Sequence, residues 1–115
     1  MPREVRQYLE DILQAIRDIE QYAANAKDFD EFSSSAMRVH AILYNLEIIG
    51  EAVKNIPATM KKKHSYVEWR KMAGLRDIVA HEYFGISLEI VWGVIKNNLP
   101  VVKDQIEEIL REIEE

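Results

Sequence analysis

No cysteine occurs anywhere in the chain, which removes disulfides, thiolate metal sites and cysteine nucleophiles at once. Glycine and proline are nearly as scarce, at four and three in 115 residues, too few for the many turns of an all-β fold. No apolar run approaches the roughly 20 residues that cross a bilayer, and the opening MPREVRQYLE is too polar for a secretory signal. The expected location is cytoplasmic, with no membrane contact. His40, His64 and His81 share no i, i+4 pairing or ligand run, so no metal site is expected. A glycine-rich phosphate loop and a recognisable Ser-His-Asp signature are absent too, and no cofactor is expected.

What remains is an ordinary globular balance, 48% hydrophobic and 30% charged, sized for one domain over residues 1–115. The net charge of −5 argues against indiscriminate coating of nucleic acid, but the charge is uneven. Lys61, Lys62, Lys63, Arg70, Lys71 and Arg76 face a single acid, Glu68, whereas the chain from Lys103 onward is acidic. The basic stretch reads either as a solvated surface or as a patch that attracts RNA phosphate.

Helical periodicity runs throughout. Val5, Tyr8, Leu9, Ile12, Ile16 and Ile19 make one apolar stripe on a helix over about Arg3–Ala24. Asp28 with Glu31 resembles a capping box and opens a long helix over Phe29–Ile56, which Pro57 stops. Phe32, Ala36, Val39, Leu43, Leu46, Gly50 and Val53 form a heptad-like seam on it. Ile42, Ile48, Ile49 and Ala52 form a second apolar set, which suggests a dimer interface, and Gly50 suggests close approach of another backbone.

Residues 56–66 read as a long connection, and Val67–Lys71 as a short helical turn anchored by Trp69. A helix over Met72–Phe84 should end at Gly85. Ser87 then caps a helix to Asn97, and Asn97, Asn98 and Pro100 interrupt the chain before a final helix carrying Val102, Ile106, Ile109, Leu110 and Ile113. The expected fold is an all-α antiparallel bundle of four to five helices.

Within the Met72–Phe84 helix, Arg76, His81 and Tyr83 fall inside eight residues. At 100° per residue, Tyr83 lies about 20° off the face of Arg76 and His81 about 140° round. One helix therefore does not bring the three together, whereas a second copy across a twofold axis could. The residue types suit metal-free RNA cleavage: arginine binds phosphate through a planar fork, and histidine moves protons near neutral pH. Spacing alone equally allows Arg76 to pair with Glu47 or Glu51, His81 to be a structural histidine, and Tyr83 to be a core aromatic.

The sequence RDIVAHEYFGI (76–86) resembles the Arg-X4-His-X-Tyr motif of HepT-like proteins in the HEPN superfamily, and NLEIIGEAVK (45–54) resembles that family's other marked segment. The Trp69-Arg70 turn and LEIVWGVIKNNLPVVKDQI (88–106) follow the same pattern. The resemblance implies a HEPN-type all-α homodimer acting as a metal-independent RNase toxin, with Arg76 and His81 catalytic in a cleft between protomers. It implies a minimal nucleotidyltransferase antitoxin as partner and Tyr83 as the acceptor of AMP, with Asn45, Glu47 and Glu51 in support. Tyr44 departs from it, since relatives often carry arginine there. The competing expectation is a catalytically silent subunit that binds RNA or a nucleotide, or that serves a nucleotidyltransferase complex.

Overall fold

The structure, a computed structural model, describes residues 4–82 and 88–114, with His81 and Glu82 described by backbone alone. Among the described residues there is no strand, and the all-α expectation holds. The helices are α1 (Val5–Ala23), α2 (Phe29–Ser33), α3 (Ala36–Lys54), α4 (Ala58–Lys63), α5 (Trp69–Ala73), α6 (Leu75–Glu82), α7 (Leu88–Gly93) and α8 (Leu99–Glu114). A π-helical segment, Val94–Asn98, joins the last two.

α1 forms where its periodicity places it, burying Leu9, Ile12, Ile16 and Ile19. The helix expected over Phe29–Ile56 is instead two. Asp28 caps α2 as expected, its Oδ1 accepting the Glu31 N–H at 2.9 Å, while Glu31 accepts the Lys27 N–H at 3.0 Å. Three serines then end it. Ser33 and Ser34 donate their hydroxyls back to Asp30 and Glu31 carbonyls, and Ser35 takes an extended conformation and accepts the Arg38 N–H at 3.2 Å. Serine side chains compete in this way with continued helix, and here they start a fresh one.

α3 is the centre of the molecule, packed on α1, α2, α5 and α6. Its seam residues Val39, Leu43, Leu46 and Val53 are buried, and so are Ile42, Ile49 and Ala52 of the second set. The protomer itself covers these three and leaves Ile48 half-buried, so most of the second set is core, which corrects its reading as a dimer interface. Gly50, which costs about 1 kcal/mol against alanine in a helix interior, does meet a close backbone, but one from the same chain: the turn from Ala73 to Arg76. Tyr44 and Met37 stay exposed on the outer edge of α3.

The long connection also holds unexpected structure. Pro57 leads directly into α4, whose last turn carries Lys61, Lys62 and Lys63 where cations suit the helix dipole. His64 follows, buried, with Nδ1 3.1 Å from the Tyr66 hydroxyl and Nε2 3.6 Å from Glu112 of α8. Its carbonyl accepts the Trp69 indole N–H at 3.0 Å, so the expected aromatic anchor is in place. Gly74 separates α5 from α6, and the Met72–Phe84 helix is thus shorter at its start than its periodicity suggests. The expected end at Phe84 and Gly85 and the Ser87 cap lie outside the described residues.

The interruption expected around Asn97, Asn98 and Pro100 is the π segment, closed by the Leu99 N–H reaching back five residues to the Val94 carbonyl. Pro100 has no N–H to give the next backbone bond and falls in the first turn of α8, where that loss is tolerated. α8 starts at Leu99, and Val102, Ile106, Ile109 and Leu110 are buried as expected. Lys103 binds Glu20 at 2.9 Å and Arg6 binds Glu114 at 3.0 Å, tying α8 to α1. Phe32 stacks on Trp92 with centroids 5.1 Å apart, fixing α2 against α7.

Candidate active site

The first turn of α6 lies against the C-terminal part of α3 because Gly50 has no side chain to keep it away. A methyl group there would sit 2.7 Å from Arg76 Cγ and 3.3 Å from both the Ala73 carbonyl oxygen and Arg76 N. So seated, Arg76 turns its guanidinium to the neighbouring residue on α3. Nη1 lies 3.1 Å from Oε2 of Glu51, with the arginine side chain 39% exposed. This is one of the two ion pairs that the spacing left open.

Around it is a cleft of about 640 Å³, walled by Glu47 and Lys54 from α3, Arg70 from α5, and Arg76 and Asp77 from α6. Three cations from three helices share one concavity. Lys54 is the functional candidate that sequence reading passes over, yet Glu47, Glu51 and Lys54 stand at i, i+4 and i+7, the spacing of one helix face. Among the described residues, no three His, Asp or Glu side chains gather so as to hold a metal ion.

The other expected site residues fall in different places. His81 is in the last turn of α6, five residues beyond Arg76; its side chain, and Tyr83 altogether, lie outside what is described. Asn45 is buried and donates to the Ala41 carbonyl of its own helix at 2.9 Å, so it serves α3 rather than the cleft. Of the five basic residues expected to meet RNA, Arg70 lines the cleft. Lys61, Lys62 and Lys63 sit on α4. Lys71 pairs with Glu68 at 2.7 Å and borders a separate apolar groove of about 520 Å³, floored by Met72, Leu75, Leu99 and Val102.

Comparison with known proteins matches the sequence to a family. The sequence fits the family model of HepT-like ribonucleases over residues 12–109. The chain belongs to the HepT-like ribonuclease family. Among its relatives, a protein of Methanocaldococcus jannaschii named as a candidate RNase is 44% identical over 115 residues, covering 99% of this chain and 94% of that one. Another so named, from Caldanaerobacter subterraneus, is 41% identical over 106 residues, covering 92% of this chain and 94% of its own. A protein of Thermococcus cleftensis bearing the name probable ribonuclease HepT is 38% identical over 109 residues, 95% and 98% of the two chains. No solved structure matches. Membership of the HepT-like family supports ribonuclease activity. Among the described residues, no helix is long and apolar enough to cross a membrane.

Proposed function

We propose that this HepT-like protein is a metal-independent endoribonuclease that works as a twofold homodimer. One observation carries the reading: the Arg76 guanidinium is half exposed and oriented by Glu51 in a cleft that Lys54 and Arg70 also line. In the proposed reaction a base takes the proton of a 2′-hydroxyl, that oxygen attacks the adjacent phosphorus, and the 5′-oxygen leaves with a proton from an acid. Arg76 binds the phosphoryl oxygens and stabilises the charge that gathers on them. His81 serves as base or acid. Its position about 140° round α6 from Arg76 supports a dimer in which two copies of the motif face each other across one cleft.

Arg70, with Lys54, holds phosphates next to the scissile one, while Lys61, Lys62, Lys63 and Lys71 draw the strand in from outside the cleft. The wider biological reading is the toxin half of a toxin–antitoxin pair of the type II or VII kind, held in check by a minimal nucleotidyltransferase antitoxin. AMP placed on Tyr83 would add bulk and negative charge close to Arg76 along the chain, and so compete with RNA phosphate.

Purified protein incubated with total RNA in chelator tests the activity. Cleavage by the wild type, and its loss in Arg76→Ala and His81→Ala with helicity and dimer mass unchanged, is the expected result. Equal cleavage by both variants would remove the assignment. The occupied state of Arg76 favours one second reading, a silent subunit in which the Glu51 pair is structural. It requires RNA or partner binding with no cleaved product.

A further inference from the structure

We infer that Gly50 is a positioning residue for Arg76: its missing side chain sets where the guanidinium meets the substrate phosphate. Glycine is a poor residue for the interior of a 19-residue helix, and no left-handed backbone at Gly50 calls for it. The explanation is contact. The three atoms nearest a Cβ at this position are Arg76 Cγ at 2.7 Å, and Arg76 N and the Ala73 carbonyl oxygen at 3.3 Å. Two of the three therefore belong to the proposed catalytic arginine itself. Gly93, by contrast, has nothing among the described residues within 4 Å of where its Cβ would be.

The neighbouring residue completes the arrangement. Glu51 holds Arg76 at Nη1 from 3.1 Å, while Gly50 gives Cγ its room, so two successive residues of α3 set the two ends of one side chain. A methyl group at position 50 has little freedom around it. Cγ lies close to the backbone and cannot swing clear as a chain terminus would, and the other two contacts are backbone atoms of the α5–α6 turn. Either the Arg76 rotamer changes or the first turn of α6 moves off α3. Both carry the guanidinium away from its place in the cleft, and a misplacement of about 1 Å can cost on the order of 10²-fold in rate.

The activity part of this inference rests on the nuclease reading, whereas its structural part does not. The experiment compares Gly50→Ala, Gly93→Ala, Arg76→Ala and the Gly50→Ala/Arg76→Ala double variant, all as full chains. The readouts are kcat and KM on RNA in chelator, and Tm. Gly50→Ala is expected to lower kcat at least ~10-fold with KM changed much less, and Gly93→Ala to leave both as they are. Because Arg76→Ala removes Cγ, the Tm loss from Gly50→Ala should be smaller in that background than in the wild type. Wild-type kcat in Gly50→Ala, or the same Tm change in both backgrounds, overturns the inference. Should wild-type protein cleave no RNA at all, the nuclease reading fails and the Tm comparison alone decides the role of Gly50.

Discussion

Arg76 and Glu51 lie 25 residues apart in sequence, yet Nη1 of one sits 3.1 Å from Oε2 of the other, at the edge of a cleft open to solvent. Their side chains are 39% and 59% exposed, and pairs this open to water contribute about 0–1 kcal/mol to stability. The pair matters for orientation more than for folding.

Glu51→Gln should therefore leave Tm nearly unchanged while altering catalysis. The neutral amide competes less with phosphate for the guanidinium, so KM for RNA should fall. Arg76 also loses the charge that orients it, so kcat should fall as well. Steady-state cleavage assays beside thermal melts check both parts.

Arg76→Lys should behave like Arg76→Ala rather than like wild type. A lysine keeps the charge but not the planar fork that grips two phosphoryl oxygens. A loss of about 10²-fold or more in kcat is expected for either variant, measured with circular dichroism to confirm an intact helical fold.

Lys54→Ala and Arg70→Ala should each reduce the dependence of RNA binding on salt, because each removes one of the cleft cations proposed to meet phosphate. The slope of log affinity against log salt should fall by about 0.7 per residue on single strands. Lys71→Ala should change it less, since that side chain is engaged by Glu68 at 2.7 Å. Fluorescence anisotropy across a salt series makes the comparison.

Ser35→Ala should destabilise the chain by about 1 kcal/mol, the usual worth of an N-cap, by freeing the Arg38 N–H that the hydroxyl accepts at 3.2 Å. Urea melts of the two proteins, analysed at a shared slope, give the difference.

Burial, and then the charges of Glu112 and Glu108, push the Tyr66 phenol above the usual tyrosine value of 10.0. An acid whose folded value is raised favours the folded state below its unfolded value, and that contribution is lost as pH rises through the folded value. Tyr66→Phe should therefore soften the decline in Tm at alkaline pH, and should remove tyrosinate absorbance that develops above the usual tyrosine value.

Much of this arrangement is legible in the residues themselves. The stripes of α1 and α8 identify their buried faces because each helix turns one side to water. α3 is harder to read for the opposite reason. It is covered by its own chain on several sides, so Ile42, Ile49 and Ala52 look like surplus apolar surface until α1, α5 and α6 are in place. The serine break before α3 depends on three hydroxyls choosing backbone partners, which no hydrophobic period records. At the site, the motif names Arg76 but not its surroundings. Glu51 and Lys54 share a face of α3 that can be counted from spacing, while Arg70 joins them from α5, a separate short helix that Gly74 sets off from α6. Gly50 stands out as a misplaced residue in the sequence, and its reason is a contact with a side chain 26 positions away.

The wide turn at Val94–Asn98 holds one residue more than a regular helix would need, so it sets the rotational phase of everything that follows. Winding all five residues into a regular helix instead would turn α8 by about 100° about its axis. Lys103 would then leave Glu20, and the Val102–Ile106–Ile109 row would face solvent instead of α1. A one-residue deletion within Val94–Asn98 should therefore be absorbed by a regular turn, whereas the same deletion inside α8 should not.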